Sequence, residues 1–202
     1  MIAKAIKSRD GKGTGGSGFR GLIDYITGKA DAVQTENLVG PVTAAAAQMR
    51  LTANVNERVK KPAYHVVATW HEHETPTDEQ MFEAGRRMLH HLGAAEHQAV
   101  MAVHRDRDHC HIHVVVNRVN SATNTAFSLS NDYLKLEKAA REIELNQGWA
   151  QDRGRFDAEV TEHEDKPEVR LRPKPRDHWE QVKEKRAAGR RQGTREEHQR
   201  EK

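Results

Sequence analysis

Polar and apolar residues alternate over Ile2–Ile6, the two-residue period of a half-buried strand, before eleven residues carrying five glycines (SRDGKGTGGSG) break the pattern. The period then lengthens. Phe19, Leu22, Ile23 and Ile26 recur at helical spacing, and Gly28 stands where that helix would stop. A turn-rich link follows, then a helix-prone run over residues 42–59 that Pro62 ends. Residues 64–70 (YHVVATW) read as a strand. Thr77 is placed to cap the next helix, which has acidic residues in its first turn and Gly93 at its end. Two β-rich runs, 97–104 and 110–119, flank the polar stretch RDRDH and are expected to pair as antiparallel neighbours. A further helix is predicted from Ser130 to a stop at Gly148, and residues 149–156 (WAQDRGRF) suggest a short edge strand.

The order β-α-α-β-α-β-β-α-(β) predicts an α+β fold, a sheet with helices packed on it. At 202 residues the chain has room for one domain and an appendage. Apolar residues thin out after about residue 157, and prolines stand at 167, 173 and 175. The expected division is a domain over 1–157 and a charged basic tail over 158–202, a linker and then a helix from about residue 177.

Charge agrees with that division. The whole chain carries +3, but residues 166–202 hold thirteen Lys/Arg against seven Asp/Glu, +6, which leaves −3 for the first 165 residues. A basic tail suits nucleic acid or an acidic partner, and equally a solvated charged helix. The single cysteine, Cys110, excludes an intramolecular disulfide and fits a reducing compartment. No run approaches the roughly 18 apolar residues of a membrane helix, and the first residues lack a signal-peptide core. A cytoplasmic protein without membrane insertion is expected.

The chemistry concentrates in HRDRDHCHIHVVVN, residues 104–117. On a strand, His111, His113, Val115 and Asn117 share one face and Ile112, Val114 and Val116 the other. Two imidazoles side by side can hold one cation, and His104, ending the preceding strand, is the best-placed third ligand, with His109 the competitor. Asp106 is placed to accept the spare N–H of a liganding histidine, and Asn117 to do the same or to bond a phosphate. His71, His73, His90, His91 and His97 read as structural. Three neutral imidazoles suit zinc hydrolysis as well as manganese or magnesium phosphate chemistry, but the H-E-x-x-H motif that supplies a general base to many zinc hydrolases is absent.

Residues 104–119 (HRDRDHCHIHVVVNRV) closely resemble the third motif of conjugative relaxases, the plasmid mobilisation and T-DNA border endonucleases of the HUH class, named for two histidines flanking a hydrophobic residue. Residues 17–28 (SGFRGLIDYITG) are similar to the first motif of that family, and residues 64–77 (YHVVATWHEHETPT) resemble the weaker second. The resemblance spans about residues 1–155. It implies the HUH fold, a central antiparallel sheet with helices on it, and it makes Tyr25 the catalytic nucleophile. Periodicity alone would seat Tyr25 beside Leu22 and Ile26 as a core residue.

The family's reaction, carried over, is attack by the Tyr25 oxygen on one phosphodiester of single-stranded DNA at an origin of transfer. It yields a 5′-phosphotyrosyl enzyme and a free 3′-OH that can reseal the strand. A divalent ion, Mg²⁺ or Mn²⁺, on His104, His111 and His113 would stabilise the transition-state charge. Because a phenol ionises near pH 10, something must take its proton, and Asp106 or a neighbouring histidine is the candidate. Ser17, Arg20, Lys29, Arg105, Arg107, His109, Asn117 and Arg118 are candidates to contact DNA or to buttress the ligands. By analogy the partners are a relaxosome accessory protein and the coupling protein of a type IV secretion channel. The alternatives are a rolling-circle replication initiator, a metal-dependent hydrolase with a structural tyrosine, and a DNA-binding module with a degenerate metal site.

Overall fold

The computed structural model describes residues 1–6, 18–106, 109–151, 156–163 and 166–173. It divides into two units, Met1–Gly154 and Arg155–Lys202.

The first unit is built on a five-stranded antiparallel sheet of β1 (Ile2–Ala5), β2 (Ala32–Glu36), β3 (Ala63–Thr69), β4 (Ala99–His104) and β5 (His111–Asn117), in the order β1-β3-β5-β4-β2. The two runs expected to pair do so, with Ala99 opposite Val116 and His104 opposite His111. β4 is buried along its whole length and β5 over most of it, which is why both read as nearly continuous apolar runs.

Each sheet face carries two helices. Ile112, Val114 and Val116 point with Met101 and Val103 into a core closed by α3 (Asp78–Leu92) and α4 (Asp132–Gln147). Val115, Val100 and Ala102 point the other way, against α1 (Gly18–Thr27) and α2 (Ala45–Asn54). The expected face split of β5 is thus observed. Each fully buried Val or Ile contributes about 1.5–3 kcal/mol relative to exposure, so a one-residue slip of β5 would be heavily penalised.

α3 has the predicted ends. Thr77 Oγ1 accepts from the Gln80 N–H while the Gln80 side chain accepts from the Thr77 N–H, and Gly93 closes the helix in the left-handed region at φ 78°. α4 starts two residues later than Ser130 suggested. Its preceding residue Asn131 takes a left-handed conformation, φ 55°, and makes no side-chain cap. Gly148, φ 74°, ends it as expected.

Other expectations are corrected. Pro62 does not end α2; a short 3-10 turn, Val42–Ala44, precedes the helix, which stops at Asn54. The turn-rich link contains β2, an edge strand of five residues paired with β4, too short and too polar for its alternation to stand out. No edge strand exists among the described residues of 149–156 until Phe156, and that residue opens a separate hairpin. β6 (Phe156–His163) and β7 (Lys166–Pro173) pair antiparallel in the second unit, where a linker was expected. The helix anticipated from residue 177 lies outside the described residues.

Candidate metal and nucleophile site

β4 and β5 create the cluster through their register. His104 pairs directly with His111, and Ala102 with His113, so the three imidazoles rise from one sheet face at one end of the adjacent strands β4 and β5. Ring centroids are 5.1 Å apart for His104 and His111, 4.9 Å for His104 and His113, and 5.1 Å for His111 and His113.

Each ring has one nitrogen already engaged. His104 Nε2 donates to the Ile26 carbonyl at 2.7 Å, and His111 Nδ1 donates to the His109 carbonyl at 3.1 Å. His113 Nδ1 lies 2.9 Å from Nε2 of His65. The nitrogens left over are His104 Nδ1, His111 Nε2 and His113 Nε2. An imidazole whose outer N–H is held by an acceptor presents its other nitrogen as a lone pair, the state a metal requires.

Asp106 joins the group more intimately than its sequence position suggested. One ligand-type atom each from His104, Asp106 and His111 lies within 4.8 Å of the others, while His113 stands alongside. This donor set, imidazole with one carboxylate, fits a divalent cation. A second group, His71, Glu72 and His73, is equally close-set but wholly exposed.

Burial keeps the inner imidazoles neutral. It pushes His113 down to about 3, with the positive potential of His65, His111 and His104 adding to the effect and Asp106 opposing it. Burial alone brings His65 down to about 4. At pH 7 both therefore offer lone pairs rather than charge.

The tyrosine comes from α1. Phe19, Ile23 and Ile26 form the buried stripe that seats this helix on β4 and β5. Tyr25, one residue before Ile26 and so rotated about 100° from it, is 68% exposed, with its ring edge-on to His113 at 6.1 Å between centroids. The core placement that periodicity allowed is not what the structure adopts. Tyr64 is the contrast: its buried hydroxyl donates to Asp132 Oδ2 at 2.7 Å, and burial together with that carboxylate pushes the phenol far above its ordinary value.

The remaining candidates divide by what they touch. Arg20 and Lys29 are exposed, with Arg20 loosely paired to Asp24 at 3.7 Å. Arg105 binds Asp78 at 2.6 Å and the Pro76 carbonyl at 3.0 Å, which ties the β4–β5 connection to the start of α3. Arg118 donates to the Lys61 carbonyl at 3.2 Å and is partly buried. Asn117 is fully buried; its amide donates to the Met49 carbonyl and to Gln98, and its oxygen accepts from the Val119 N–H, a bracket between sheet and α2 with no atom left for a phosphate. His109 is exposed and offers its carbonyl to His111. Ser17, Arg107 and most of the glycine-rich stretch lie outside the described residues.

Of the histidines read as structural, His97 donates from Nδ1 to the Asn117 carbonyl, and His91 meets Glu142 at 2.6 Å. His65 is the residue sequence reasoning passed over. It sits in the second motif as one buried position of an apolar strand, and only the β3–β5 pairing, Val67 opposite His113 and His65 opposite Val115, brings it to the cluster.

An antiparallel sheet that raises histidines from the adjacent strands β4 and β5 toward an exposed helical tyrosine defines an α+β protein of the HUH type. The chain belongs to the relaxase family: the family model of the MobA/VirD2-like relaxase nuclease domain matches residues 25–149, from Tyr25 through every member of the cluster. Among similar proteins, MobA of Acidithiobacillus ferrooxidans is 36% identical over 102 residues, 49% of this chain and 25% of that protein. Two TraI proteins of Escherichia coli are 30% and 29% identical over 171 and 163 residues, 81% and 75% of this chain and 23% and 21% of theirs. The chain thus spans about a quarter or less of the length of these relatives. No helix among its described residues is long and apolar enough to cross a membrane.

Proposed function

We propose that this domain nicks one strand of DNA at an origin of transfer by transesterification on Tyr25, and reseals it by the reverse step. The observation that carries this reading is the exposed Tyr25 ring standing edge-on to His113 within a histidine cluster whose outer nitrogens are already bonded. The phenol loses its proton to the Asp106 carboxylate, and its oxygen attacks phosphorus in line with the bond to the 3′ oxygen. That bond breaks, the 3′ oxygen takes up a proton, and the 5′ phosphate remains esterified to Tyr25. Because one phosphoester replaces another, resealing by the 3′-OH needs no external energy source.

His104, His111 and His113 are the residues that would hold the divalent ion, Mn²⁺ or Mg²⁺, with the Asp106 carboxylate close to His104 and His111. When bound, the ion neutralises charge that develops on the phosphate oxygens. Imidazole ligands leave more of that positive charge available than a set of carboxylates would. Arg20 and Lys29, exposed at either end of α1, are the cations we assign to the phosphates flanking the scissile one. The substrate we assign is single-stranded DNA, so an accessory protein that melts or extrudes the origin is the expected partner. A secretion coupling protein would take the covalent complex onward.

The test uses labelled single-stranded oligonucleotides from candidate origins, Mn²⁺ or Mg²⁺, and denaturing electrophoresis. Label that migrates with the wild-type protein, and is lost with chelator and in Tyr25→Phe, supports the proposal. Cleavage that leaves no adduct and survives Tyr25→Phe would replace it with metal-dependent hydrolysis.

A further inference from the structure

The three clustered imidazoles do not have their tautomers set in the same way. His104 and His111 each bond outward to a main-chain carbonyl. A carbonyl only accepts, so the proton on the outer nitrogen is fixed and the inner nitrogen is obliged to carry the lone pair. His113 bonds outward to another imidazole, at 2.9 Å, and an imidazole nitrogen can accept or donate. If His65 Nε2 donated, His113 would carry its proton on Nε2 and present an N–H to the cluster, the form that repels a cation.

His65 is built for one arrangement. It lies on β3, next to β5 in the sheet, two residues from the position directly opposite His113, and both side chains leave the same face. The rings sit 5.1 Å apart with an interplanar angle of 34°, and His65 is buried. Its neighbours along the strand, Val66, Val67 and Ala68, are apolar. An imidazole in that row is costly to bury without a partner, so the bond to His113 accounts for the choice of residue better than packing does.

Resting on the reading of His113 as a metal ligand, we propose that His65 is a positioning residue. It accepts the Nδ1–H of His113 on its own Nε2, and so holds His113 in the tautomer whose Nε2 lone pair faces the cluster. The pair is a histidine counterpart of the carbonyl contacts that set His104 and His111. Removing such an outer partner typically weakens metal binding by about 10–100-fold.

The experiment is Mn²⁺ titration of the metal-stripped protein without DNA, followed by electron paramagnetic resonance, for wild type, H65L, H65Q and H113A. Apo-protein melting is measured in parallel. H65L, which fills the space and accepts nothing, is expected to lose roughly 10–100-fold in Mn²⁺ affinity. H65Q, whose amide oxygen accepts the same bond, is expected to stay close to wild type. Wild-type affinity in H65L with a loss in H113A overturns the role of His65 and leaves His113 a ligand. Wild-type affinity in H113A removes the ligand assignment and this inference with it. Should H65L fail to fold, the ¹⁵N shifts of His113 in the metal-free wild type decide: a protonated Nδ1 and a bare Nε2 support the proposal, and the reverse overturns it.

Discussion

The Ile26 carbonyl accepts a 2.7 Å hydrogen bond from His104 Nε2, so the helix that carries Tyr25 is fastened to a residue of the histidine cluster. One bond therefore serves two purposes: it orients a candidate ligand and it fixes the end of the nucleophile's helix. His111, partly exposed and bonded to the carbonyl of nearby His109, has no such double role among the described residues.

These two histidines should therefore separate on substitution. His104→Ala is expected to destabilise the fold by about 1–3 kcal/mol, because a buried carbonyl loses its donor, and also to abolish metal binding. His111→Ala should weaken metal binding while changing stability by no more than about 0.5 kcal/mol. Denaturant unfolding in chelator, with Mn²⁺ titration of the same samples, distinguishes the two patterns.

Tyr25→Phe removes a hydroxyl from a ring that is 68% exposed. Stability should stay within about 0.5 kcal/mol of wild type. Covalent adduct formation should disappear altogether, since no other group replaces the attacking oxygen. A melting curve beside the adduct gel checks both halves; a destabilised Tyr25→Phe would mean the ring is structural after all.

Asn117→Ala should act through the fold rather than through DNA. Its buried amide and oxygen bond Met49, Gln98 and Val119. Deletion strands these partners and is expected to cost about 2–4 kcal/mol. Oligonucleotide affinity measured well below the new melting temperature should be unchanged; a selective loss of affinity would contradict the bracket role.

Gly85 faces the sheet across a gap that a methyl group cannot enter. A Cβ there would lie 2.3 Å from Met101 Sδ, and Met101 is fully buried. Gly85→Ala is expected to cost about 1–3 kcal/mol by overpacking, less any gain in helix propensity. Because the clash lies on the face opposite the histidines, adduct formation in the folded fraction should be retained.

Acid should weaken the apo-protein through its buried imidazoles. His65 is lowered from 6.5 to about 4 and His113 to about 3, so from pH 6.5 downward the unfolded chain binds protons that the folded chain refuses. Stability is then full above pH 6.5 and falls as the pH drops toward 4, by something on the order of 3 kcal/mol for His65 alone. Unfolding measured in chelator across pH 4–8 should show that slope, and His65→Gln should flatten it; an unchanged slope in His65→Gln would assign the loss to other groups.

Local signals were legible where local physics decides. Thr77 with Gln80, and Gly93, mark the ends of α3 because capping and left-handed backbone are settled within a few residues. The face split of β5 follows from the two-residue period alone. The HxH pair on one face, and His104 folding back toward it, needed only a short connection between adjacent strands. β2 escaped because five residues at a sheet edge carry too little apolar alternation. The β6–β7 pairing escaped because a proline-rich charged stretch carries few of the residues that favour strands.

The sequence by itself therefore determined which side chains share a strand face, where helices start and stop, and that histidines gather around residues 104–113. Tertiary structure alone decided that β3 lies beside β5, and with it that His65 meets His113; it also decided that α1 docks so as to expose Tyr25 and fasten Ile26 to His104. The reason is range. Alternation, capping and helical period act over a few residues, whereas strand order and helix docking are chosen by burial across the whole domain, where residues 25, 65 and 113 have no local means of finding one another.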